Sequence, residues 1–316
     1  MSFHVADVEV KPGEKHAGYL SVGSASTHEV RMPYIVVNGA KPGPVLTVLS
    51  GVHAVECTPV EAVLRLVKSV EPADISGTLV LVPVVNTEGF HARKPYSNQL
   101  DHLNQNKVFP GDPEGSMTRR VAHAVLDSFV SKSDYLVDCH SADLGEDATH
   151  GMFVYRTDDM DLTRRMIEMA RCFDCDCIET TDISGNTGEA VRLYGIPCIM
   201  TESGTPYLIR EDDVLYHYMG LRNLMRHIGM MDGEAALGDQ RVDPPSQRLW
   251  AKSGGLWRRK VEAGQRVKEG QLLGTVSDLH GEPLQVATAP LKGVVSFLRV
   301  HYSVNEGDTL CWVTEI

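Results

Sequence analysis

Three apolar runs set the terms on which this chain can fold. Val45-Leu46-Thr47-Val48-Leu49 stops at Ser50-Gly51, Pro59 to Val70 repeats its apolar residues at helical spacing, and Thr78 to Val85 is nearly continuous Val and Leu. A strand with apolar side chains on both faces must be covered on both faces, and helices flanking a parallel or mixed sheet do that. The alternation continues: Met117 to Ser131 reads as a helix, Asp134 to Asp138 as a strand, Met160 to Cys172 as a helix, Ile196 to Met200 as a strand and Asp213 to Gly229 as a closing helix. The expected fold class is α/β: a mixed, mostly parallel sheet covered by helices.

The pattern breaks after Gly238. Asp239-Gln240-Arg241-Val242-Asp243-Pro244-Pro245 reads as a linker before short, Val-rich strands punctuated by glycine. Two units are therefore expected, an α/β one over 1–238 and an all-β one over 239–316. Within the second, Gly255-Leu256-Trp257 followed by Val267 to Leu273 is echoed by Gly293-Val294-Val295 followed by Val304 to Leu310, an offset of about 37 residues. This duplication resembles the barrel-sandwich hybrid fold of biotinyl and lipoyl carrier domains. A carrier needs a modifiable lysine in the hairpin joining its halves, and Ser277-Asp278-Leu279-His280-Gly281-Glu282 has none. The unit reads as a scaffold or lid, which leaves the chemistry to residues 1–238.

With 42% hydrophobic residues the chain has ample material for a core, and its 23% charged residues are spread rather than run together. A net charge of -12 argues against a nucleic-acid partner, since affinity for phosphate backbones comes from clustered Lys and Arg. The N-terminus has neither a basic nor an apolar leader segment, and no apolar run reaches about 18 residues, so a cytoplasmic protein with no membrane partner is expected. Seven cysteines, an odd number, suit free thiols better than a disulfide framework. Cys172, Cys175 and Cys177 have the spacing of half a metal site, but no second Cys/His pair follows, and the reading preferred is a set of small buried hydrophobes at a helix end.

His53 and Glu56 stand three apart directly after the Val45–Leu49 run, so one turn could aim an imidazole and a carboxylate at the same point. His140 ends the run Leu136-Val137-Asp138-Cys139-His140, and open α/β sheets place their ligands at the carboxyl ends of strands. Two histidines and a glutamate make a catalytic zinc shell with one position left open. Glu202, in Thr201-Glu202-Ser203-Gly204, lies at another strand end, where it could take a proton from water. Asp138 could orient an imidazole, or serve only to end its strand. Arg93 and Asn106-Lys107-Val108-Phe109-Pro110-Gly111 add cationic and amide groups in a loop.

Taken in order, these segments resemble the succinylglutamate desuccinylase and aspartoacylase family of zinc carboxypeptidase-like hydrolases, over essentially the whole chain. The family pattern Gly-x-His-x-x-Glu, Asn-Arg-x-Phe-Pro-Gly, Asp-x-His and Glu-x-Gly maps onto His53 and Glu56, Asn106 to Gly111, Asp138 and His140, and Glu202 and Gly204. The resemblance implies that His53, Glu56 and His140 hold one zinc ion per chain, that Glu202 is the general base and later delivers the proton to the leaving amine, and that Arg93 polarises the scissile carbonyl. Arg93 also reads as a solvated loop cation, the commoner fate of an arginine.

Two departures bear on the substrate. Ala54 and Val55 stand where the family usually has glycine and a polar residue, which alters the pocket wall without removing a ligand. Lys107 stands where the family usually has an arginine, and a point charge cannot grip a carboxylate in two prongs. Asn106 and Lys107 are still expected to contact substrate. The carboxylates of Asp143, Glu146 and Asp147 read first as a hydrated acidic loop, because charge clusters on loops usually face water. If they face the pocket, Asp143 foremost, they suit a cationic amine. The expected activity is thus removal of an acyl group from an N-acylated amino acid or diamino acid by metal-activated water. A desuccinylase or aspartoacylase for dicarboxylic substrates, a metallocarboxypeptidase, and an inactive metal-binding or carrier protein are the alternatives. Oligomeric state is left open.

Overall fold

The computed structural model describes residues 1–316. Strands β1 (Phe3–Val5) and β2 (Val8–Val10) pair as a small hairpin, and β3 (Lys15–Ser24) and β4 (Glu29–Asn38) as a long one. Strand β5 (Lys41–Ser50) leads through a turn into α1 (Cys57–Ser69), and β6 (Ser76–Val82) and the short α2 (Thr87–Ala92) follow. Then come α3 (Met117–Ser128), β7 (Tyr135–His140), β8 (Glu146–Tyr155), α4 (Met160–Ala170), β9 (Cys177–Thr181), α5 (Glu189–Tyr194), β10 (Cys198–Gly204) and α6 (Glu211–His227).

The parallel core runs in the order β6-β5-β7-β10, and antiparallel β4 and β8 flank it. Its strands are the apolar runs of the sequence, buried on both faces beneath helices. On α1, Val60, Val63 and Leu66 recur three apart and are buried against the sheet, while the opposite face carries Arg65 and Lys68. Parallel pairing aligns the carboxyl ends of β5, β7 and β10 along one edge: Ser50 lies opposite Cys139, and His140 opposite Glu202. That edge is where the candidate residues meet.

The remaining strands are β11 (Ser246–Trp250), β12 (Gly255–Arg259), β13 (Arg266–Val267), β14 (Leu272–Ser277), β15 (Pro283–Thr288), β16 (Gly293–Arg299), β17 (Ser303–Val304) and β18 (Thr309–Thr314). Strands β15, β14, β12 and β17 form a separate antiparallel sheet. Strands β16, β18 and β11 instead extend the large sheet, because β16 pairs with β8 through Phe297 opposite Ala148, Leu298 opposite Asp147 and Arg299 opposite Glu146. The hydrophobic interior nevertheless falls into two clusters, and the smaller draws only on residues between Ala251 and Val313.

Candidate metal centre and substrate cavity

The turn after β5 begins at Gly51, whose φ of +61° disfavours any other residue and where a Cβ would stand only 3.0 Å from the Val84 backbone. The chain reverses there, the Glu56 amide bonds the His53 carbonyl, and Glu56 sits at the N-terminus of α1. His53 Nδ1 lies 2.7 Å from one Glu56 carboxylate oxygen and His140 Nδ1 lies 2.8 Å from the other. The donor atoms of His53, Glu56 and His140 all lie within 4.8 Å of one another, the two imidazoles edge-on at 5.1 Å between centroids.

The outer partners decide which ring nitrogens carry protons. His53 Nε2 lies 3.2 Å from Asn104 Oδ1, and that atom also accepts the Asn106 backbone amide at 2.8 Å, so it is an oxygen and Nε2 must be the donor. His140 Nε2 lies 3.0 Å from Asp138 Oδ2, a carboxylate that can only accept, although the aligned hydrogen bond to that oxygen comes from Thr187 at 2.7 Å. Both rings thereby direct Nδ1 lone pairs at the space occupied by the Glu56 carboxylate. Burial would raise the Glu56 pKa, but rings that also carry a proton at Nδ1, His140 above all, donate to its carboxylate and hold the group at about 2; a cation in the site takes the place of those protons. With those protons gone, three electron-pair donors, one of them anionic, converge on one point. A divalent cation satisfies that arrangement, and the donor chemistry is that of zinc.

Glu202 is the register partner of His140 and faces the same side of the sheet. One of its carboxylate oxygens is buried without a partner, and burial pushes its pKa well above the ordinary range. His53, Glu56 and Glu202 line one cavity of about 320 Å3, together with Ser141, Asp143 and Glu146.

The acidic segment after β7 differs from the hydrated loop expected of it. Asp143 and Glu146 line the cavity, and Asp147 is buried in a two-pronged pair with Arg210 at 2.8 and 3.0 Å. The cause is the long-range pairing of β8, which draws the segment into the sheet; Arg299, from β16, meets Glu146 at 3.1 Å. Burial pushes the Asp143 carboxyl up, against the pull of its hydrogen bond with Tyr96 and with the Leu144 amide.

Arg93, Asn106 and Lys107 are not among the residues that line this cavity. Arg93 is exposed and caps α2 in a left-handed conformation, with φ of +56°. Lys107 is exposed and Asn106 is half-buried, its Oδ1 without a partner. Cys172, Cys175 and Cys177 are free and buried, with burial lifting each thiol to about 12.

Sequence reasoning missed Tyr96 and Asn104, which hold Asp143 and His53, and also Phe297 and Trp312, which wall the cavity from β16 and β18. Both aromatics stand among Val and Leu in short strands, where the period-2 pattern marks alternation but not which face meets another part of the chain.

The model of the succinylglutamate desuccinylase/aspartoacylase catalytic domain matches residues 42–228. Among curated proteins, the N-alpha-acetyl-L-2,4-diaminobutyric acid deacetylase of Halomonas elongata is 28% identical over 297 residues, 91% of this chain and 86% of its own. Among solved structures, a succinylglutamate desuccinylase/aspartoacylase from Rhodobacter sphaeroides superposes with a TM-score of 0.87 at 22% identity, over 98% of each chain. The product-bound ectoine utilization protein EutE (DoeB) from Ruegeria pomeroyi gives the same TM-score, identity and coverage. These superpositions extend through the C-terminal strands and concern the fold alone. No helix of this chain is long and apolar enough to cross a membrane.

Proposed function

This chain belongs to the succinylglutamate desuccinylase/aspartoacylase family, and from that premise we propose that it is a metal-dependent deacylase that hydrolyses the amide of an N-acylated diamino acid. The observation that carries this reading is the placement of His53, Glu56, Glu202 and Asp143 on one cavity, a hydrolytic set beside carboxylates suited to an ammonium group. The Halomonas relative's name, with its second amine on the substrate, points the same way.

One divalent ion, zinc by its donor set, would be held by His53 Nδ1, Glu56 and His140 Nδ1. When bound, such an ion polarises a carbonyl and acidifies water. Asp138 and Asn104 keep the two rings turned so that Nδ1 faces inward. Glu202 takes the proton of the attacking water and passes it to the amide nitrogen as the C–N bond breaks, releasing a carboxylic acid and the free amine. Asp143, with Glu146 behind it, orients the ammonium of the substrate side chain. Arg93 is assigned no step, since its side chain is exposed and outside the cavity lining.

Metal-verified protein should be given N-acetyl-2,4-diaminobutyrate, N-succinylglutamate, N-acetylaspartate and a dipeptide, with amine release measured. The diamino substrate should give the highest kcat/KM, and preference for a dicarboxylic substrate would overturn the assignment of the amine. Glu202→Gln should lower kcat by about 10²–10⁴, the usual worth of a general base, while about one metal ion per chain stays bound. Loss of the metal with that substitution, or undiminished turnover, would sink the mechanism.

A further inference from the structure

The cavity does not end at Glu202. Across strands β7, β10, β8 and β9, His140, Glu202, Gly151 and Cys177 are register partners in one row, so all four face the same side of the sheet. Strands about 4.8 Å apart put Cys177 roughly 10 Å from Glu202, with Gly151 between them. A Cβ on Gly151 would stand 3.7 Å from that of Glu202 and 3.9 Å from the Phe153 ring, in ordinary contact with both. Any longer side chain there would fill the passage, and glycine leaves it open.

A bulge widens the same floor. Glu202 pairs with Gly151 and Gly204 with Ala148, three positions on β8 against two on β10, so Ala148 and Gly151 face the same way. Next along from Ala148 come its partner Phe297 and, opposite Phe297 in turn, Trp312, the two rings stacked 5.0 Å apart. Ala148, Gly151, Phe297 and Trp312 line the cavity, as do Cys177 and Glu179, the register partner of Phe153. The hydrolytic residues thus open onto a chamber with a small-residue floor, aromatic walls and one carboxylate beyond. An acetyl group would leave those walls idle.

Resting on the deacylase reading above, we infer that this chamber is a subsite for the acyl group, that it takes an uncharged straight chain longer than acetyl, and that Gly151 sets the length admitted. Each buried methylene is worth about fourfold in binding, so the walls reward an extended chain. A chain ending in a carboxylate meets the Glu179 carboxylate and the desolvating aromatics instead, while the nearby cation, Arg248, is already engaged by Glu179 and by the Trp312 ring, over which it lies at 4.0 Å. Butanoyl and succinyl have the same number of carbons and differ in that end group, so they separate length from charge.

The test is a series of Nα-acyl-2,4-diaminobutyrates (acetyl, butanoyl, hexanoyl and succinyl) on the metal-loaded enzyme. The wild type should turn over butanoyl with a kcat/KM at least equal to that for acetyl, and succinyl about tenfold or more below butanoyl, the discrimination an uncompensated charge or a blocked methylene typically brings. Gly151→Val, a good strand former, should lower the butanoyl-to-acetyl ratio by about tenfold or more. Phe297→Ala, which opens the far wall, should raise the hexanoyl-to-acetyl ratio by about threefold or more, on the same methylene scale. Acetyl turnover with succinyl preferred to butanoyl, or ratios unmoved in both variants, would overturn the subsite and leave the deacylase reading standing. No turnover of any member would remove the deacylase reading and the subsite with it.

Discussion

Asp143 and Glu146 share a cavity wall but differ in what neutralises them. Glu146 already has Arg299 at 3.1 Å, whereas no cation pairs with Asp143, whose side-chain partner is the Tyr96 hydroxyl. A substrate ammonium therefore gains more from Asp143. Asp143→Asn keeps the shape and removes the charge, so the ratio of kcat/KM on N-acetyl-2,4-diaminobutyrate to that on an N-acetyl amino acid with a neutral side chain should fall by about tenfold or more, the size of one partly buried charge contact. An unchanged ratio would place the ammonium elsewhere. The meeting of the proposed ligands and base was legible in the sequence at the level of single residues. His53, Glu56, His140 and Glu202 announce themselves because short spacing and strand ends fix their directions locally. The orientation of Asp143 was not legible, because it depends on pairings between β8 and residues about 150 positions later in the chain.

Helices and buried strands were read close to their true limits wherever apolar periodicity is strong. The Met160 to Cys172 reading ends at Ala170, and Asp213 to Gly229 begins two residues earlier, at Glu211. Strand β8 escaped notice because it starts within the acidic segment, carries a bulge and has Thr149, His150 and Gly151 in its middle. Helix α6 shows a different kind of constraint. Its Gly220 lies directly against the buried Phe173 ring, and a Cβ there would fall 2.0 Å from a ring carbon. Glycine in a helix interior costs about 1 kcal/mol relative to alanine, so at an unconstrained site Gly220→Ala would stabilise. Here the clash decides the sign. Forcing a methyl into a packed contact costs typically 1–3 kcal/mol, and such a short approach belongs at the upper end, so a net loss of about 1–2 kcal/mol is expected. Denaturant unfolding with an unchanged m-value would measure it, and a stabilised variant would show that Phe173 has room to move.

At the scale of the whole molecule, one sheet crosses two interiors. The smaller cluster shares no residue with the larger, yet β16 and β18 both belong to it and wall the cavity through Phe297 and Trp312. The seam that joins them is narrow: three registered pairs between β8 and β16, the Val300 and His301 amides on the Gly145 carbonyl, the Arg299–Glu146 and Arg241–Glu315 pairs, and Asp243 accepting hydrogen bonds from the amide and hydroxyl of Thr180. The linker and the repeat in the sequence signalled a second unit, but nothing in them foretold that its strands would continue the first sheet. A seam confined to one strand edge and its linker lets the smaller core unfold first, and the cavity loses a wall when it does. Leu273 is fully buried in the smaller cluster and is not among the cavity-lining residues. Leu273→Ala should cost about 2–5 kcal/mol, all of it drawn from that cluster. The melting profile of the variant should therefore show a low-temperature transition ahead of the main one, and activity should disappear with the first. Activity that persists to the main transition would mean that Phe297 and Trp312 hold their places without the core behind them. A single transition shifted as a whole would mean that the seam couples the two interiors more tightly than its contacts suggest.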